Sequence, residues 1–141
     1  MFIFEKTNNV IEQTPLVVSE WIYLNPGTID KEKDVVANTT SFEVMKKRKG
    51  DKKGLACRFG TLVTVNNKIY LNYIAEDSYV IDLADVIDRK ELLTMISNSY
   101  SKFEAEFNKR KFTTAFISYT LSPFYPDKVD LEAILPLLLP E

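Results

Sequence analysis

Histidine is absent from this chain of 141 residues, cysteine occurs once and glycine four times. Each scarcity removes a class of chemistry. Without histidine the chain lacks the side chain most often used for general acid–base work near neutral pH, and the commonest zinc ligand. The single cysteine, Cys57, excludes an intramolecular disulfide framework and a cysteine-rich metal cluster, and it suits a reducing compartment. Gly50, Gly54 and Gly60 lie near lysines, but neither the Walker spacing nor the dinucleotide fingerprint surrounds them, so nucleotide chemistry is not expected. No stretch reaches the roughly eighteen apolar residues a membrane span needs, and Met-Phe-Ile-Phe-Glu-Lys is not a basic leader followed by an apolar stretch. The expectation is a cytoplasmic protein that is not an enzyme, holds no cofactor or metal and does not touch a membrane.

What is present is ordinary for a globular fold: 45% hydrophobic residues, 12% aromatic and six prolines. At this length one domain spanning 1–141 can bury roughly two thirds of its unfolded surface.

Charge is unevenly placed. Lys46-Lys47-Arg48-Lys49-Gly50-Asp51-Lys52-Lys53 holds six cations and one carboxylate, and subtracting its +5 from the formal −2 leaves −7 for the other 133 residues. Alternating sequence on both sides, with Phe42 and Val44 before it and Leu55, Cys57, Phe59, Thr61, Val63 and Val65 after it, puts the octet between two strands. Gly50-Asp51 suits the turn, giving a basic hairpin at about 45–54 that projects from the sheet.

Other elements follow from local chemistry. Residues 2–5 read as a first strand, and Leu16 to Leu24, apolar on both parities, as a buried one. Asn25-Pro26-Gly27 ends that element in a turn. Residues 28–38 suggest a short helix capped by Thr28 or Asp30. Asn66-Asn67 supplies a reversal, after which Ile69, Leu71, Tyr73 and Ala75 share a face and Glu76-Asp77-Ser78 turns the chain into Tyr79 to Leu83. Asp88-Arg89-Lys90-Glu91 is a capping box, and Leu92, Ile96, Tyr100, Phe103 and Phe107 form one apolar stripe of a long helix reaching about Arg110. Phe112 to Leu121 reads as a strand. Pro126-Asp127 opens a short C-terminal helix interrupted at Pro136. The fold class is therefore α+β: an antiparallel sheet, a meander of hairpins, packed by one long helix, with a short C-terminal helix.

Each candidate site has a plainer reading beside it. Lys46, Lys47, Arg48, Lys49, Lys52 and Lys53 form a partner-binding surface for a protein, or alternatively for the phosphates of a nucleic acid, or else a solvated loop whose lysines discourage edge-to-edge pairing. No aromatic residue in the octet offers base stacking, and the acidic body opposes a phosphate backbone. Asp82, Asp85, Asp88 and Glu91 recur every three residues, a spacing that disperses carboxylates around a helix rather than converging them on a metal, so capping by Asp88 and Glu91 is preferred. Cys57 alternates in phase with Leu55 and Phe59 and belongs to the core. Trp21, Tyr23, Phe124 and Tyr125 are read as packing rather than as a recognition patch. Leu131, Ile134, Leu135 and Leu137 to Leu139 are either tucked into the core or form a homodimer surface. Together these features favour a small non-catalytic binding protein acting on a macromolecule, as an inhibitor, immunity factor, chaperone or adaptor does.

Overall fold

The computed structural model describes residues 10–13, 15–50, 52–82, 88–121, 124–125 and 129–138, with side chains for all of these except 10–13, 47–49, 82 and 137–138. The strand expected at 2–5, the Asp85 carboxylate and the Pro126-Asp127 opening lie outside the described residues.

The elements run β1 (Val10–Gln13), β2 (Val17–Tyr23), β3 (Val36–Lys49), β4 (Lys52–Val65), β5 (Lys68–Asp82), α1 (Arg89–Arg110) and a short α2 (Leu131–Ile134). The strands form one antiparallel sheet, four strands wide. β5 and β3 flank β4, while β1 and β2 lie end to end along the other edge of β5. The fold class read from the sequence is therefore the observed one, an antiparallel sheet packed by one long helix with a short helix after it. β3, β4 and β5 are a meander of hairpins, but β2 pairs with β5 and not with β3. The chain between Tyr23 and Val36 therefore crosses from one edge of the sheet to the other.

Period-two patterning sets which face is buried. Leu55, Cys57, Phe59, Thr61, Val63 and Val65 on β4, and Leu71, Tyr73, Ala75, Tyr79 and Ile81 on β5, are all buried on the helix side. Arg58, on the opposite face, forms ion pairs with Glu76 at 2.8 Å and Glu43 at 3.4 Å. α1 starts where Asp88 accepts a 2.8 Å bond from the Glu91 amide, and Leu92, Ile96, Tyr100, Phe103 and Phe107 are buried as the stripe requires. Phe59 is the centre of the core. Its ring lies 4.9 Å from Phe42 and 5.4 Å from each of Tyr100, Phe103 and Phe124, while Tyr73 stacks on Phe103 at 4.4 Å.

Several expectations are corrected, each for a local reason. β2 is not buried on both faces. A bulge at Ser19 shifts the register between Val18 and Glu20, so Val18 faces inward before it and Trp21 and Tyr23 after it, while Val17 and Ile22 are exposed. The two apolar parities of the sequence are one inward face interrupted by a bulge. Residues 28–38 form no helix. Asp30 closes a single turn by accepting from the Glu32, Lys33 and Asp34 amides, and Val36 already pairs with Val65.

Glu76-Asp77-Ser78 does not turn. β5 passes straight through, and Asp77 is fully buried. Phe112 to Leu121 is not a strand: a 3₁₀ turn at Lys111–Thr113 ends α1 and further turns follow, with Thr114 Oγ1 accepting from the Phe116 amide. The Asn66-Asn67 reversal is present, both residues adopting positive φ (52° and 68°), as a two-residue hairpin between Val65 and Lys68 requires.

Candidate binding surfaces

The octet occupies the end of the β3–β4 hairpin. Lys49 is in register with Lys52, Arg48 with Lys53, and Gly50 begins the reversal at φ +61°. The hairpin does not project as a separate arm, because β5 runs beside β4 to its first residue, placing Asp82 opposite Lys52. Lys46 is exposed, Lys52 half-buried and Lys53 fully buried on the helix side beside the Ile81 position. Lys53 therefore presents no solvent-facing charge, which parity predicts: it is in phase with Leu55 and Cys57. The backbone places five further cations at one end of the sheet, with like charges in direct cross-strand register. On its other side Lys52 faces Asp82, which offsets part of that repulsion.

At the opposite end, the crossover after β2 and the segment after α1 enclose a groove of about 480 Å³. Ile29 and Val36 form one wall and Ala115, Phe116, Ser118 and Tyr119 the other, with Lys31 and Asp34 also lining it. Both walls are tethered to the sheet. Asn66 binds the crossover, its carbonyl accepting from the Val35 amide at 2.9 Å and its amide donating to Asp34 Oδ1 at 2.9 Å. That bond, with the Asp30 backbone contact, holds the Asp34 carboxyl below its ordinary value of 3.8. On the other wall the Tyr119 hydroxyl donates to Asn38 Oδ1 at 2.9 Å, Lys111 Nζ donates to the Tyr119 carbonyl at 2.8 Å, and the Ala115 amide donates to the Tyr23 hydroxyl at 2.8 Å.

Apolar side chains crowd this end without being covered: Leu24, Val35, Ile69, Phe112 and Ile117 are each about half exposed or more. β3 connects the two surfaces, starting at the groove with Val36 and ending in Lys46 to Lys49. Among the described residues its only strand neighbour is β4, so its other edge is an edge of the sheet.

No family model matches the chain, and no curated protein matches it. Solved structures resemble the chain in fold. The chain is similar to the Rv1957 SecB-like chaperone of Mycobacterium tuberculosis, solved in complex with a ChAD peptide from the Rv1956 HigA1 antitoxin. The TM-score is 0.56 at 7% identity, over 85% of this chain and 94% of that one. At that identity the likeness is one of fold.

A third feature lies inside the core. Asp77 on β5 accepts from Ser99 Oγ at 2.7 Å and from Lys102 Nζ at 3.2 Å, and the Tyr79 hydroxyl lies 3.1 Å from it. Cys57 is the cross-strand partner of Asp77. Sequence reading missed this cluster by taking Asp77 for a turn residue, although its parity with Tyr73, Ala75 and Tyr79 is the signal that finds it. Its chemistry is structural. Burial pushes the Cys57 thiol up to about 12, with Ser99 pulling the other way and the Asp77 charge adding to the rise, so the nucleophilic thiolate is scarce at neutral pH.

Among the described residues no three His, Cys, Asp or Glu side chains converge on a metal position, and no helix is long and apolar enough to cross a membrane. Asp88 caps α1, as its spacing suggested. Leu131 and Ile134 are buried in the chain's own core, which removes them from any dimer surface. Trp21, Tyr23 and Phe124 pack against the core, while Tyr125 is exposed.

Proposed function

We propose that the protein is a non-catalytic, chaperone-like binder of polypeptides, which holds an extended segment in the groove between the crossover and the segment after α1. The observation that carries this reading is the groove itself: a cleft of about 480 Å³ with tethered walls, in which Ile29, Val36 and Phe116 are lined up with Lys31, Asp34 and Ser118, opening beside the start of an edge strand. An edge strand offers main-chain hydrogen bonds to any extended sequence, and pockets beside it select side chains. Uncovered apolar groups around a polar-rimmed cleft mark interaction sites. The fold likeness to a chaperone solved with a peptide supports the same reading, and the lone buried thiol of Cys57 fits a reducing, cytoplasmic setting. Of inhibitor, immunity factor, chaperone and adaptor, the chaperone-like role is the one an open groove of mixed lining beside an edge strand supports best.

The test is suppression of aggregation of a chemically denatured protein on dilution, compared between the wild type and Ser118→Trp. Ser118 is exposed and lines the groove, so the indole fills the cleft without entering the core. The wild type should suppress aggregation at near-stoichiometric ratios, and the variant should do so several-fold less at unchanged melting temperature. Equal suppression by both, or none by the wild type, refutes the assignment.

A further inference from the structure

β3 measures the distance between the groove and a cationic site. It enters the groove at Val36 and reaches the cluster at Lys46, ten residues on, which is about 33 Å of extended strand. A polypeptide lying along that edge advances at the same rise per residue. Resting on the groove reading, we infer that the bound polypeptide carries acidic residues roughly ten positions from the apolar segment in the groove, and that the basic end of the hairpin receives them.

Three observations bear on the kind of partner. The cluster joins Lys46, Lys47, Arg48 and Lys49 on β3 to Lys52 on β4 by backbone register, so the cations sit at one end of the sheet. Lys52 lies between Lys49 on β3 and Asp82 on β5, so the surplus positive charge of this end is carried toward β3. The rest of the chain carries −7, which repels a long uniform polyanion but not a short acidic stretch confined to the tip. Nucleic acid fits this charge distribution poorly, and the octet has no aromatic residue on which a base can stack.

The experiment measures fluorescence anisotropy of labelled synthetic peptides on the full chain. One peptide joins a five-residue apolar segment through a ten-residue neutral spacer to four glutamates. A second replaces the glutamates by glutamines, and a third shortens the spacer to two residues. The protein is the wild type and a Lys46→Glu, Lys47→Glu, Lys49→Glu variant whose melting temperature is measured alongside, reversal at Lys49 setting unlike charges opposite Lys52.

The acidic long-spacer peptide should bind the wild type about tenfold more tightly than the glutamine peptide at low salt, as a few exposed ion pairs permit. The advantage should vanish in the triple variant, in about 0.5 M salt and with the short spacer. If acidic and glutamine peptides bind equally, the inference about the tip is overturned while the groove reading stands. If no peptide binds, the groove reading falls first. Tip-dependent binding of a single-stranded oligonucleotide in preference to every peptide overturns the acidic-polypeptide assignment.

Discussion

Ser99 on α1 donates a 2.7 Å hydrogen bond to Asp77 on β5, joining helix to sheet by a polar link inside an apolar interface. Lys102, one turn further along α1, reaches the same carboxylate at 3.2 Å. The Tyr79 hydroxyl lies within 3.1 Å of Asp77, Ser99 Oγ and the Met95 carbonyl, and its one proton serves one acceptor at a time. A buried carboxylate of this kind is tolerated because its donors are held in place.

Removing one donor should therefore cost more than the volume lost. Ser99→Ala should lower the unfolding free energy by about 1–3 kcal/mol, the cost of leaving a buried acceptor short of a partner. Urea denaturation gives the number directly. A midpoint unchanged from the wild type would show that the link does not hold the helix on the sheet.

Stability should fall steeply at alkaline pH. Burial pushes the Cys57 thiol from 9.0 to about 12 and the Tyr100 phenol from 10.0 to about 12, and it also raises Tyr73 and Tyr79, in each case as the first cause. Above pH 9 the unfolded chain releases protons that the native state keeps. The stability is then lost as pH rises toward 12, from pH 9 by about 1.4 kcal/mol per pH unit for Cys57 and from pH 10 by up to about as much for each tyrosine, less for Tyr100, whose charge is partly screened by solvent. Melting temperatures from pH 7 to 11 should be level to about pH 8.5 and then drop. A flat profile to pH 11 would refute the burial assigned to these groups.

The two asparagines of the β4–β5 turn should respond oppositely to the same change. Asn67 adopts φ 68°, where glycine is unstrained, so Asn67→Gly should be neutral or stabilise by a few tenths of a kcal/mol. Asn66 also adopts positive φ, but it ties the crossover through Val35 and Asp34, so Asn66→Gly should destabilise by about 1 kcal/mol and loosen the groove wall. Amide exchange at Val35 would report the loosening. Identical effects of the two substitutions would mean that the asparagines serve the turn alone.

How much of this was legible in the sequence depended on whether one period ran unbroken. α1 was, because Leu92, Ile96, Tyr100, Phe103 and Phe107 keep one face through about four turns and Asp88 marks its start. So was the buried face of β4. β2 was not, since a bulge at Ser19 reverses parity in mid-strand and leaves no mark of its own. Asp77 was misread because Glu-Asp-Ser has turn chemistry, and only the helix packed above it shows that donors await a buried carboxylate.

Phe112 to Leu121 has strand composition, yet the Phe116 amide donating to Thr114 Oγ1 and Lys111 Nζ donating to the Tyr119 carbonyl wind it into turns that become one wall of the groove. The groove could not be read from spacing. Its walls lie some eighty residues apart in the chain and meet only because the crossover is tied past the β4–β5 turn by Asn66. The basic octet was visible at once, but Lys53 facing inward required the strand register.

The position of β2 on the far edge of β5 also orders events during synthesis. Trp21 and Tyr23 leave the ribosome long before the β5 residues Tyr73 and Leu71 that they will face, while β3, β4 and β5 can zip as successive hairpins as each appears. The amino-terminal edge must therefore wait, and for that interval the nascent chain displays its own aromatic strand to whatever cellular factor meets it.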